Sequence, residues 1–223
     1  MEPSFWLDKW QQGQIGFHAA APNRYLIEHM SELERGAGQE AQGRSVYVPL
    51  CGKSMDLHAL QRAGFAVVGT ELAPLATEAF FREAGLQRAT RECDTHREHR
   101  AGAFRILEGD IFNIPANAIG PCDAAFDRAA LVALPPERRE DYVAHLRSAL
   151  RPGAVLLLVA FEYDQTQMSG PPFSVDDACV RALWGPHGSV RALGGRELID
   201  EEPRFRERGV QSIRESAYLI RLH

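Results

Sequence analysis

The sequence predicts a three-layer αβα sandwich built on a mostly parallel sheet of seven strands, and three observations carry that prediction. Short β-branched or apolar runs alternate with helix-period segments through the middle of the chain, as βαβ units require. The run 154–160 is apolar throughout, which suits a strand covered on both faces. The alternation then stops, and two strand-like runs, 189–193 and 210–222, close the chain as an antiparallel pair.

The chain has 223 residues, 45% hydrophobic and 25% charged, which suits one domain over 1–223 with a substantial core. The net charge is -5 and there is no long basic run, which argues against a nucleic-acid partner. Cys51, Cys93, Cys122 and Cys179 are scattered without a C-x-x-C, so reduced thiols and a cytoplasmic location are expected. Met1-Glu-Pro-Ser-Phe-Trp lacks the basic and apolar regions of a signal peptide. No apolar run is long enough to span a bilayer, and nothing demands more than a monomer.

Taken in order, residues 1–44 form an N-terminal lid and linker segment. Phe5, Trp6 and Trp10 share a broad helical face, and Gly13 and Gly16 end that helix. Two readings stand: the aromatics, with Phe17, dock the helix on the core, or they cover a ligand and complement a positive centre. A second helix is expected over 23–33, and the Gly-, Gln- and Glu-rich stretch 34–44 reads as a solvated linker.

Residues 45–50 are a strand, broken by Pro49, Gly52 and Ser54 and followed by the helical spacing of Met55, Leu57 and Leu60. Residues 65–72 are a second strand with Glu71 at its carboxyl end. A strand, a turn opening a helix and a second strand ending in an acid is the plan of a site for an adenosine-containing cofactor, the carboxylate taking the ribose hydroxyls. Pro74 opens the next helix, which Gly85 caps. The charged stretch 87–102 contains Cys93, His96 and His99 at a spacing that superficially resembles metal ligands. No second ligand pair is evident, so it is expected to be a mobile surface excursion.

Residues 103–108 are the third strand, and Asp110 after it either accepts from a ligand or caps a turn. Residues 122–128 are the fourth. Asp127 and Arg128 stand at its end, where open α/β sheets place ligand contacts; an internal ion pair between them is the other reading. A helix over 137–150, a Pro152-Gly153 turn and the strand 154–160 follow. The stiff turn Gly170-Pro171-Pro172 then either walls a substrate pocket or aims the helix 176–184.

Three cofactor classes meet this plan. A P-loop needs Gly five residues before Gly52, where Tyr47 stands, and a dinucleotide fold needs G-x-G-x-x-G where the turn has one Gly. S-adenosylmethionine needs no pyrophosphate cradle and tolerates a single-Gly turn. Cys51 as a covalent nucleophile has no His placed in sequence to activate it.

Phe5-Trp6-x-x-Lys9-Trp10 with Gly16-Phe17-His18, Val48-Pro-Leu-Cys-Gly-Lys-Ser54, Val68-Gly-Thr-Glu71, Gly109-Asp-Ile-Phe112, Asp127-Arg-Ala-Ala-Leu-Val-Ala-Leu-Pro135 and Gly170-Pro-Pro-Phe-Ser-Val175 resemble the thiopurine S-methyltransferase family, in its compact bacterial form. The resemblance runs from Phe5 almost to the C-terminus. It implies a Rossmann-like class I methyltransferase fold and S-adenosyl-L-methionine as cofactor. It further implies a small thiol acceptor, with selenium or tellurium species as others, in a detoxifying reaction.

Carried over by position, Trp10, Leu50 and, more weakly, Trp6 line the cofactor pocket. Glu71 binds ribose, and Asp110 and Ile111 lie near adenine. Arg128 touches cofactor or substrate; Phe17, Pro172 and, more weakly, Arg204 resemble substrate walls. No dedicated catalytic base and no metal are implied, with Asp127 and Arg128 as positioning candidates. Leu57 and Ala59 depart from the Met and Trp common in the family, and Ala73 from its Ser, which bears on pocket shape. A non-catalytic S-adenosylmethionine sensor is the alternative function.

Overall fold

The computed structural model describes residues 3–36 and 43–223; the middle of the expected 34–44 linker lies outside them. Among the described residues one nine-stranded sheet organises the chain: β1 Ser45–Val48, β2 Ala66–Glu71, β3 Ala89–Glu92, β4 Arg97–Ala101, β5 Phe104–Glu108, β6 Cys122–Arg128, β7 Leu150–Glu162, β8 Gly188–Glu197 and β9 Arg214–Leu222. Their order is β3-β4-β5-β2-β1-β6-β7-β9-β8. The five strands from β5 to β7 are parallel, and β9 and β8 add antiparallel, as expected.

Seven strands become nine because 87–102 is not a mobile excursion. It forms the antiparallel hairpin β3–β4, which extends the sheet past β5. Its charges are organised rather than solvated. The buried Glu98 takes Arg100 at 2.8 Å, with Arg91 and Arg105 at 3.3 and 3.4 Å, and the Arg100 bond first among these holds its carboxyl down at about 2. His99 is buried beside Glu108 at 3.2 Å. Among the described residues no His, Cys, Asp and Glu group suits a metal ion.

Helices cover both faces. One core packs Tyr47, Ala125, Leu156 and Leu158 against α7 (Arg139–Ser148) and α8 (Asp177–Trp184) through Tyr142, Leu146, Val180 and Trp184. The other packs Val46, Val67 and Phe126 against α4 (Met55–Arg62) and α5 (Pro74–Glu83) through Leu57, Leu60, Phe80 and Phe81. The expected helix 23–33 is two, α2 Arg24–Glu28 and α3 Met30–Arg35, joined at His29. Pro152-Gly153 is not a turn but an irregularity inside β7, where pairing jumps from Cys122–Leu150 to Ala124–Val155. The remaining helices are α1 Pro3–Gln11, α6 Ala116–Ile119 and α9 Pro203–Glu207. No described helix is long and apolar enough to cross a membrane.

Gly69, in the middle of β2, shows how tightly the sheet is filled. A Cβ there would stand 2.6 Å from Cys51 Sγ and 2.7 Å from Ile106 Cδ1. Gly69→Ala should therefore destabilise by about 1–3 kcal/mol through overpacking. Urea denaturation checks this, and an unchanged midpoint would count against it.

Candidate active site

The carboxyl ends of β1, β2, β6 and β7 open onto one cavity of about 500 Å³. β1 leads to β2 on one side while β6 lies on the other, so the cavity sits where the strand order reverses, the place open α/β sheets hold ligands. Its size is that of a cofactor or small-molecule site, roughly 300–1,000 Å³. Two of its residues have positive φ without being glycine, Leu50 (46°) after β1 and Ala129 (63°) after β6. Backbone strain of about 1–3 kcal/mol per residue of this kind tends to collect at functional sites.

Glu71 ends β2 inside the cavity. Its carboxylate accepts the Gly52 amide at 2.7 Å and the Ala73 amide at 2.7 Å, so it ties the two loops that form this end. It is 6% exposed, and burial pushes its carboxyl up to about 7 against the opposing pull of those amides. Gly52 has φ 53°, and a Cβ there would meet Trp10 Cζ2 at 3.3 Å, so the tryptophan lies directly over this turn.

That tryptophan belongs to α1, which has no buried residue despite its three aromatics. Trp6 and Trp10 each meet Phe17 edge-on at 5.8 Å, and Phe5, Trp6, Trp10 and Phe17 all face the cavity. The segment is therefore a cover over the cavity rather than a helix docked into the core. Arg128 fixes it from below: its Nη1 donates to the Phe17 carbonyl at 2.8 Å.

Opposite stands Gly170-Pro171-Pro172, held by Arg208 Nη1 donating to the Pro171 carbonyl at 3.0 Å and by the Tyr163 hydroxyl donating to that of Pro172 at 2.6 Å. α9, packed through Phe205 into a third apolar cluster with Tyr163, Leu198 and Ile213, brings Arg204, Phe205 and Arg208 to the same wall.

A family model described as Thiopurine S-methyltransferase (TPMT) matches residues 1–223. The chain belongs to the thiopurine S-methyltransferase family. Curated relatives of that name include one from Nitrosospira multiformis, 41% identical over 220 residues, covering 99% of this chain and 98% of the relative. Another, from Pseudomonas fluorescens, is 43% identical over 221 residues with 99% of both chains covered. Two solved structures share the fold at low identity. The SAM-dependent methyltransferase from Anabaena variabilis has TM-score 0.67 at 12% identity, covering 99% of this chain and 95% of that one. The Burkholderia thailandensis 1,6-didemethyltoxoflavin-N1-methyltransferase, solved with S-adenosylhomocysteine, has TM-score 0.63 at 16%, covering 99% and 86%. Membership of that family makes the protein a methyltransferase whose cofactor is S-adenosyl-L-methionine.

As a thiopurine S-methyltransferase family member it has a cavity whose chemistry suits that cofactor. Each Glu71 oxygen takes one backbone amide and retains a lone pair for a sugar hydroxyl. Eight of the sequence-predicted residues converge here: Trp6, Trp10, Phe17, Leu50 and Glu71 on one side, Arg128, Pro172 and Arg204 on the other. Three do not line the cavity. Asp110 caps its own turn, accepting the Phe112 amide at 3.0 Å, and Ile111 is buried in the core. Asp127 is fully buried and accepts the Tyr142 hydroxyl at 2.7 Å and the Leu131 amide at 3.1 Å. The expected alternative for it, an ion pair with Arg128, is not formed either, since Arg128 reaches to Phe17. Lys53, part of the Val48–Ser54 motif, also lines the cavity, as do Phe161, Phe205 and Arg208, to which no role was expected; the i, i+4 spacing of Arg204 and Arg208 was the available signal for the last.

Proposed function

We propose that residues 1–223 act as one methyltransferase domain transferring a methyl group to the sulfur of thiopurines and other aromatic thiols. The observation that carries this reading is a single cavity with an aromatic cover, one carboxylate-bearing end and one guanidinium-bearing end. Bound there, S-adenosylmethionine supplies an electrophilic methyl on a cationic sulfur. Glu71 accepts from the ribose hydroxyls, and Trp10 and Leu50 close round that end. Trp6, Trp10 and Phe17 exclude water and complement positive charge with their faces. Arg128 and Pro172 hold the acceptor, and alignment supplies most of the acceleration.

No dedicated base is needed, because an aromatic thiol gives up its own proton near neutral pH. Cys51 lines the cavity but stays a protonated thiol: burial pushes it well up, and Glu71 adds to this. Selenium and tellurium nucleophiles are the softer members of the same acceptor class, and their methylation fits a detoxifying role. A cytoplasmic monomer suits the reading, and all four cysteines are free.

Purified protein given labelled S-adenosylmethionine and 6-mercaptopurine should yield labelled S-methyl product. Tight cofactor binding with no product on any thiol would favour a sensor instead.

A further inference from the structure

Among the described residues His18 is the one histidine that lines the cavity. It ends the turn after the cover helix, and that turn is pinned at two places. Arg204 Nη1 packs so closely on Gly16 that a Cβ there would stand 2.7 Å away. Arg128 Nη1 donates at 2.8 Å to the Phe17 carbonyl, the peptide group that His18 itself completes. The His18 amide closes the turn by donating to the Ile15 carbonyl at 2.8 Å. Its imidazole is half-buried, and among the described residues it makes no hydrogen bond or ion pair.

The other titratable groups lining the cavity are unsuited to taking a proton from an acceptor. Asp56 takes the Asn23 amide at 2.6 Å and the Ser54 hydroxyl at 2.7 Å, and Glu71 holds the Gly52 and Ala73 amides at the proposed ribose end. Lys53 is held by Glu83 at 2.8 Å and Lys9 by the Gln14 carbonyl at 2.5 Å. Three guanidiniums and the protonated Cys51 complete the set. A neutral imidazole differs from all of these in offering one nitrogen as an acceptor. Its surroundings keep it neutral: burial lowers its pKa most, and Lys53 and Arg128 push the same way against Glu83 and Asp56.

We infer that His18 is a general base for acceptors that arrive protonated, and that alkyl thiols are methylated through it beside aromatic ones. This rests on the thiol reading above. A cysteine-like thiol has a pKa of about 8.5, so only a few per cent of it is thiolate at neutral pH, and the thiolate is the nucleophile. In the step, the S–H proton passes to the free imidazole nitrogen while the sulfur's electron pair forms the new S–CH3 bond. The bond from that methyl to the sulfonium breaks, and its pair stays on the sulfur of S-adenosylhomocysteine. The imidazolium then releases its proton to water.

The test compares N-acetylcysteinamide with 4-nitrothiophenol, which is already thiolate at neutral pH, in the unmodified protein and in His18→Gln. The alkyl-to-aromatic ratio of kcat/KM should fall about 10- to 100-fold in the variant at pH 7. On the alkyl thiol, the unmodified protein should level off between about pH 6.5 and 8.5, while His18→Gln should climb about tenfold per unit towards the thiol's own pKa. NMR of the ligand-free protein gives a readout without turnover: the imidazole signal that His18→Gln removes should titrate below the ordinary 6.5. Should His18→Gln fold poorly, His18→Asn makes the same comparisons. A signal titrating above 7, equal proportional losses on both thiols, or an aromatic thiol methylated and an alkyl thiol refused by the unmodified protein overturns this inference alone. Neither thiol methylated, with S-adenosylhomocysteine still bound, sinks the thiol reading and this inference with it.

Discussion

Glu71→Ala should weaken S-adenosylhomocysteine binding about 10- to 100-fold, the loss of about 1.5–3 kcal/mol of hydrogen bonding to a charged acceptor. The expected effect is this large because the carboxylate does two things at once. It is proposed to take the ribose hydroxyls, and it already holds the Gly52 and Ala73 amides that shape the turn under Trp10. Calorimetry on the variant checks it, and a dissociation constant within threefold of the unmodified protein would remove Glu71 from the site.

The same residue makes binding depend on pH, with a definite sign. Burial holds the free carboxyl near 7, so below that pH it is increasingly protonated and has lost acceptor capacity. Hydroxyls that donate to it favour the charged form. Affinity should therefore fall by up to about tenfold per pH unit below about 7. Glu71→Gln should be flat through that window. Stability of the ligand-free protein runs the other way. Glu71, at about 7, and Asp127, at about 6, both bind protons more readily folded than unfolded. Their contribution is fully present below pH 4 and is lost as pH rises through 6 to 7. Cofactor then stabilises most where the free protein has lost this contribution.

What the sequence disclosed follows from where side chains face. The parallel strands were legible because both of their faces are buried, which leaves continuous apolar runs, and Glu71 stood out as a lone acid ending such a run. The hairpin β3–β4 was hidden by its composition. Arg91, Arg97, Glu98 and Arg100 look solvated one at a time, and the burial of Glu98 beneath its arginine partners depends on cross-strand and nearby pairing that spacing alone does not reveal. The inward turn of Asp127 was hidden for a similar reason: its partner, Tyr142, lies on a helix 15 residues on. α9 was missed because five residues carry too little periodicity, although it delivers two of the three cavity arginines.

Arg128→Ala should reduce kcat/KM on an aromatic thiol by about 10²–10³, the cost typical of deleting one preorganised donor at a reacting centre. The guanidinium is held in place by its surroundings. β6 is locked into the sheet, with Arg128 opposite Val159, and the turn after it is fixed by Ala129 at positive φ and by Asp127 anchored to Tyr142 and Leu131. From that base Arg128 fastens the cover through the Phe17 carbonyl while facing the acceptor. Losing it therefore loosens the cover and removes a positive charge together, so kcat should fall and acceptor KM rise. Arg128→Lys should recover little, because a single ammonium cannot hold the Phe17 carbonyl and a second partner in the planar fork a guanidinium provides. Tyr142→Phe separates scaffold from chemistry. It strips the buried Asp127 of its hydroxyl donor and should cost about 1–3 kcal/mol of stability, whereas Arg128→Ala should leave the melting temperature nearly unchanged. A drop in kcat/KM below fivefold for Arg128→Ala, or one matched by an equal loss of thermal stability, would move the residue from the reaction to the scaffold.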